Sequence, residues 1–197
     1  MDANSLKKKL AESSVGIAGL GGLGSNVAIA LARSGVGRLI LVDFDDVEES
    51  NLNRQAYTID QVGMRKTEAL TQNIARANPA VNVTAIDMKL EKGKMDAPFM
   101  CVDVIVEALD SAETKAHFIE EICTKLPEKP IIVASGVAGI RGTERIQMRK
   151  TGNLYLVQDE QAKSCYDELV LAPKVGIFAY WQASLVLEIL VGCSDDD

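Results

Sequence analysis

Short unbroken apolar runs alternate along the chain with stretches whose apolar side chains recur every three or four positions. The two periods predict buried strands alternating with amphipathic helices. "SVGIAGL" (Ser14 to Leu20) predicts a buried strand, and "SNVAIALARSG" a helix with Ser25 as its N-cap and Gly35 near its end. "GRLILVDFD" (Gly37 to Asp45) predicts a second buried strand that ends in acids, which completes one βαβ unit. "MRKTEALTQNIARAN" puts Ala69, Leu70, Ile74 and Ala77 on one helical face, and Pro79 closes it. "VNVTAIDMKL" alternates as a strand, "VDVIVEAL" (Val102 to Leu109) reads as a strand buried on both faces, and "SAETKAHFIEEICTKL" as a helix. "PIIVASG" is another strand, and "GIRGTERIQM" with "NLYLVQ" predicts an antiparallel pair. "DEQAKSCYDE" is a polar connection before the long apolar stretch "VGIFAYWQASLVLEILVG" (Val175 to Gly192).

This order predicts an α/β fold. It is a Rossmann-like, doubly wound, mainly parallel sheet with an antiparallel edge near residues 139–157. The 197 residues suffice for one domain spanning 1–197, with its core at about 13–192, and no internal repeat or linker divides them. "SDDD" at the end reads as a solvated tail. Gln182 and Glu188 interrupt the closing apolar stretch, which therefore reads as a buried or subunit-facing helix and not a membrane span. "MDANSLKKKLAESS" has no apolar core of signal-peptide length, so the expectation is a cytoplasmic protein with no membrane partner. The formal net charge of -7 argues against a general nucleic-acid binder.

One stretch between strand and helix carries chemistry. In "GLGGLGSN", Gly19, Gly21 and Gly24 satisfy G-x-G-x-x-G, and Asp43 ends the next strand about 20 residues later, where a ribose-binding acid belongs. Backbone N–H groups at a helix N-terminus suit a phosphate. The pattern leaves NAD, FAD and ATP open, and with them an NAD(P)- or flavin-dependent oxidoreductase.

The long polar stretch "DVEESNLNRQAYTIDQVG" (Asp46 to Gly63) is the functional-loop candidate. It presents Arg54 among Asn51, Asn53 and Gln55, and Lys66 follows at the start of the next helix. A dehydrogenase needs only a ribose acid here. Two cations beside the glycine loop offset the charge that builds on a pentavalent phosphorus. Asp110 ends "VIVEALD" at the carboxyl edge of the sheet, where it can hold magnesium beside a phosphate chain or cap the following helix. His117 reads as a surface or packing residue. Cys101, Cys123, Cys165 and Cys193 contain no C-x-x-C pair, so no zinc site is expected and the thiols read as free. Cys123 shares a helix face with Ile119, Ile122 and Leu126 and reads as core; Cys101, at the start of a buried strand, and Cys193 read as structural.

"GLGGLGSN", "LVDFDDVEESNLNRQ", "VGMRK", "ANP", "EALDSAETK" and "LAPKVGIFAYWQASLVLEIL" together resemble the E1-like activating enzymes of the ThiF/MoeB group, from about Ser13 to Gly192. The resemblance is nearest to the short ThiF-type sulfur carrier protein adenylyltransferases of thiamine biosynthesis. It implies that ATP and Mg²⁺ bind, and that the C-terminal glycine carboxylate of a ThiS-like carrier ending in Gly-Gly is adenylated. It implies that Gly22 and Asp43 hold the adenosine, that Asn51, Arg54 and Lys66 contact phosphates, and that Asp110, with Ser111 beside it, binds Mg²⁺. Cys165 stands at the spacing of a cysteine that relays sulfur from a donor, and a homodimer is implied. The chain departs from the group in lacking the two zinc-binding C-x-x-C pairs and any arginine before Arg33. Lys7, Lys8 or Lys9 would have to replace the arginine that a partner subunit lends. Such departures fit an E1-like relative acting on another carboxylate or on a tRNA-borne group.

Overall fold

The computed structural model describes residues 1–164 and 167–192, so Cys165 and Cys193 lie outside the described residues. The strands are β1 (Ser14–Ala18), β2 (Arg38–Asp43), β3 (Asn82–Asp87), β4 (Val104–Glu107), β5 (Ile131–Ser135), β6 (Gln147–Thr151) and β7 (Leu154–Gln158). The helices are α1 (Ala3–Ala11), α2 (Gly22–Ser34), α3 (Lys66–Ala77), α4 (Ala112–Lys125) and α5 (Ala172–Val191). One sheet runs β3-β2-β1-β4-β5-β7-β6, and only the β6–β7 pair is antiparallel. The chain winds outward from β1 to β3, then returns to β4 on the other side. The strand order therefore reverses between β1 and β4, and a crevice opens at their carboxyl ends.

Two apolar layers hold the sheet. Val15 and Ile17 face α1, α2, α3 and α5, whereas Ala18, Ile105 and Val133 face α4 and the segment before β4. Gly16 makes the second layer possible: a Cβ there would lie 2.4 Å from Phe99 Cδ1. Phe99 in turn meets Phe118 edge to face at 5.5 Å.

The 20-residue α5 is long and apolar enough by length and composition to cross a membrane, but half of it is buried within the protein. It packs along α2 and across β4, β5 and β7, with Ile177 and Tyr180 facing outward. Pro173 sits in its first turn, where the missing N–H costs nothing.

Several expectations are corrected. Helix α1 was not predicted; Asp2 caps it through Asn4 and Ser5 N–H, but Leu10 is its one buried side chain, so it leaves no apolar stripe. Residues 139–146 are loop with a short 3₁₀ turn, because Gly139 (φ 84°) and Gly142 (φ 86°) break the extended backbone before β6. Cys123 is exposed, not core. The buried stripe of α4 runs instead through Phe118, Glu121 and Ile122. Burial opposes the Glu121 charge, but hydrogen bonds from Lys125 and from the Gly93 and Met95 N–H groups outweigh it and depress its pKa. Cys101 is likewise exposed, in the turn before β4.

Beyond β7, the buried Asp159 carboxylate receives Arg145 Nε and Nη2 and Lys174 Nζ, each at 3.1 Å, and Lys174 also donates to Ala138 O. Burial alone would raise the Asp159 carboxyl; the bonds from Arg145 and Lys174 outweigh it and hold it below the usual range. The stabilisation it contributes is complete above the ordinary carboxylate pKa and is lost as pH falls through the depressed value. Melting temperature should therefore fall more steeply for the wild type than for Asp159→Asn as pH drops below about 4. Parallel slopes in a thermal-melt series would refute this.

Candidate active site

The glycine loop joins β1 to α2, and its glycines serve two purposes. Gly19 has φ 89°, and a Cβ there would lie 2.6 Å from Ala108 O. A Cβ on Gly24 would lie 1.9 Å from Gly19 O. These two are demanded by the crossing of strand and helix. Gly21 is not: the nearest atom to its Cβ position is Gln55 Nε2 at 3.9 Å. Gly21 caps α2 without a side-chain hydrogen bond, so the first N–H groups of the helix face the crevice with no preceding helical carbonyl. The buried Gln55 amide beside it leaves Oε1 without a partner among the described residues.

Ser25 is not the N-cap. It lies one turn inside α2, where its hydroxyl donates to Gly21 O (2.6 Å) and accepts from Ala56 N (3.0 Å). Asn26 Nδ2 donates to Gly22 O (2.7 Å) and Arg54 O (3.0 Å). The first turn of α2 thus fixes the backbone of the polar loop. Tyr57 adds a third tie, its buried hydroxyl donating to Leu20 O at 2.8 Å. Neither Asn26 nor Tyr57 was singled out from sequence; a lone tyrosine inside a polar run was the available signal.

That loop sets Arg54 over the glycines: its Cγ lies 3.5 Å from the Cβ position of Gly22. The guanidinium donates to Asn51 Oδ1 (2.8 Å) and Asn53 Oδ1 (2.9 Å) and pairs with no carboxylate among the described residues. It lines a cleft of about 380 Å³ with Asn53, Asp167, Glu168 and Leu169. A planar cation fixed by amides and left unneutralised is suited to an incoming phosphate or carboxylate.

Asp43 ends β2 beside the same loop. Its Oδ2 accepts from Leu20 N (2.6 Å) and its Oδ1 from Asp45 N (2.8 Å). Burial pushes its carboxyl up, against these bonds and the nearby Lys66 charge. Lys66 begins α3, two residues later than the expected helix start, and is nearly buried. Its ammonium sits 2.7 Å from Asp45 Oδ2.

Asp110 is exposed after β4, and its carboxylate makes no hydrogen bond or ion pair among the described residues. The helix-capping role falls to Ser111, whose hydroxyl accepts from Thr114 N at 3.3 Å. Ser111→Ala should lower unfolding free energy by about 1 kcal/mol, while Asp110→Asn changes it by less than about 0.5 kcal/mol. Chemical denaturation measures both, and equal losses would show that Asp110 shares the cap.

Asp43, the glycine loop and Asp110 thus gather at the carboxyl ends of β2, β1 and β4, with Arg54 and Lys66 on the loop and helix that follow β2. The segment 167–170, which follows the position of Cys165, borders the Arg54 cleft.

Known proteins are similar to this chain in sequence and in fold. The ThiF family model matches residues 3–197. The sulfur carrier protein ThiS adenylyltransferase of Escherichia coli (strain K12) is 32% identical over 192 residues, spanning 94% of this chain and 75% of that protein. The tRNA threonylcarbamoyladenosine dehydratase of Bacillus subtilis is 38% identical over 141 residues, spanning 71% of this chain and 55% of that one. Among solved structures, the E. coli tRNA N6-threonylcarbamoyladenosine dehydratase in complex with AMP superimposes with a TM-score of 0.86 at 24% identity, over 95% of this chain and 90% of that one. E. coli MccB with ATP gives a TM-score of 0.75 at 24% identity, over 96% and 58%. At that identity the structures establish the fold. The match over nearly the whole length, together with the 32% identity to a relative that the chain largely covers, establishes more: the chain belongs to the ThiF family.

Proposed function

We propose that this protein adenylates the C-terminal glycine carboxylate of a ThiS-like sulfur carrier, using ATP and Mg²⁺. As a ThiF-family protein it is a nucleotidyltransferase. The observation that carries the reading is the Arg54 guanidinium, held by Asn51 and Asn53 against Gly22 and paired with no described carboxylate.

In this reading Asp43 accepts from the ribose hydroxyls, and the backbone at Gly21 and Gly22 lies against the phosphates. Arg54 and Lys66 neutralise the charge that grows on the α-phosphorus. Asp110 fits a magnesium role: Mg²⁺ beside a nucleotide takes one or two carboxylates and completes its shell with phosphate oxygens and water, and the Asp110 carboxylate is uncommitted among the described residues. The bound ion supplies charge neutralisation along the triphosphate. The carrier carboxylate forms a bond to the α-phosphorus as the bond to the bridging oxygen breaks, and pyrophosphate leaves. A carboxylate arrives deprotonated, so no base is needed.

The finer assignments are part of the same proposal: one adenylating domain, a place in thiamine biosynthesis, a cytoplasmic setting, and sulfur relay through Cys165 from a separate donor. Dimerisation would bury the outer face of α5 at Ile177 and Tyr180. A second reading, activation of threonylcarbamoyladenosine in tRNA, is favoured by the 38% identity to the Bacillus subtilis dehydratase. Pyrophosphate exchange into ATP separates the two. Exchange that needs a carrier ending in Gly-Gly supports the first reading; AMP formation that needs the modified tRNA supports the second. ATP binding with neither would overturn both.

A further inference from the structure

Between β4 and β5 the ladder is short, pairing only Ile105 with Ile131 and Val106 with Ile132. Beyond it, polar side chains fill the parting of the strands. On the α4 side, Lys115 Nζ meets the Glu107 carboxylate and donates to Ala134 O at 3.1 Å. From α5, Gln182 Nε2 donates to Glu107 O (3.2 Å) and Ile132 O (3.3 Å). Glu107 is wholly buried and burial pushes its carboxyl up, against the opposing pull of Lys115. An ion pair in such a place seldom stabilises more than apolar residues of the same volume would. Its use lies elsewhere.

Glu107 Oε1 also accepts from Leu109 N at 2.8 Å. Lys115 stands one helical turn after Ser111, and its backbone N–H donates to Ser111 O at 2.8 Å. The chain from 107 to 115 is therefore fastened at both ends, by one carboxylate and the lysine that neutralises it. Asp110 lies between the fastenings. Its carboxylate makes no hydrogen bond or ion pair among the described residues, so the backbone sets its place. Ala108, inside the same turn, forms the floor on which Gly19 and Gly24 close.

We propose that the Glu107–Lys115 pair is a positioning latch. It holds Asp110 where a metal–nucleotide complex needs it, without touching metal or nucleotide. The inference rests on the magnesium role proposed for Asp110.

The test is ATP binding to the full chain, measured with excess Mg²⁺ and again in EDTA. The ratio of the two dissociation constants is the metal-dependent gain. The double variant Glu107→Gln/Lys115→Met replaces the ion pair by a neutral pair and keeps both sites filled, so it leaves no unpaired charge in the core. It should reduce the metal-dependent gain about tenfold while ATP affinity in EDTA stays within about twofold of wild type. Adding Asp110→Asn to it should bring no further loss, and Lys115→Arg alone should retain most of the gain. A wild-type gain in the double variant overturns the latch, as does an equal loss of affinity in Mg²⁺ and in EDTA, which marks general damage. If Asp110→Asn alone leaves the gain unchanged, the magnesium role of Asp110 fails and the latch fails with it. That outcome is recognisable because only then is the Asp110 variant silent.

Discussion

Arg54→Ala is expected to slow carrier-dependent pyrophosphate exchange by about two to three orders of magnitude, as loss of a preorganised donor to the transition state does. Among the described residues the side chain bonds only to Ser50, Asn51 and Asn53, all within four residues, so the fold should survive its removal. The loss should appear mainly in kcat, because the charge on the transferring phosphorus grows on the way to the transition state. Arg54→Lys should recover little, since an ammonium cannot take up both asparagine carbonyls and still present a planar fork. Steady-state exchange rates at saturating ATP and carrier are the measurement. A variant within about threefold of wild type would remove Arg54 from the chemistry, since a group acting there is worth far more.

The second large effect separates two glycines three residues apart. Gly24→Ala drives a Cβ to 1.9 Å from a backbone oxygen of Gly19, and neither backbone can give way without moving β1 against α2. The expected loss of stability exceeds about 4 kcal/mol, enough to unfold a protein of ordinary stability. Gly21→Ala adds the same methyl group where the nearest protein atom is 3.9 Å away at the tip of Gln55. Its urea midpoint should match wild type. Its ATP affinity should fall about tenfold or more, the cost of overpacking a close backbone approach to a ligand. Unchanged affinity in a folded Gly21→Ala protein would mean that the nucleotide does not lie against this backbone.

The central strands and the glycine loop were legible because each rests on a local pattern. The runs at Val15–Ala18, Leu39–Val42 and Val104–Val106 are buried as uninterrupted apolar runs imply. Asp43 was legible by its distance from the glycines. What stayed hidden depends on partners remote in sequence. Glu121 displaces Cys123 from the core because loop N–H groups at Gly93 and Met95 need an acceptor, which no reading of α4 alone reveals. Ser25 looked like a cap because serine suits caps; the helix starts earlier because glycine, with nothing to clash, lets its first turn press against the strand. Glu107 lies inside a run that reads as a strand buried on both faces, and only the return of α4 over the sheet shows that Lys115 answers its charge.

The two kinds of glycine would be inherited differently. A descendant that lost its nucleotide would still be held to Gly19 and Gly24, because selection for a folded chain alone preserves them. Position 21 would drift once no ligand policed it. In a set of ThiF-like sequences, a side chain at the place of Gly21 beside intact counterparts of Gly19 and Gly24 would therefore mark a branch that kept the scaffold and abandoned the substrate.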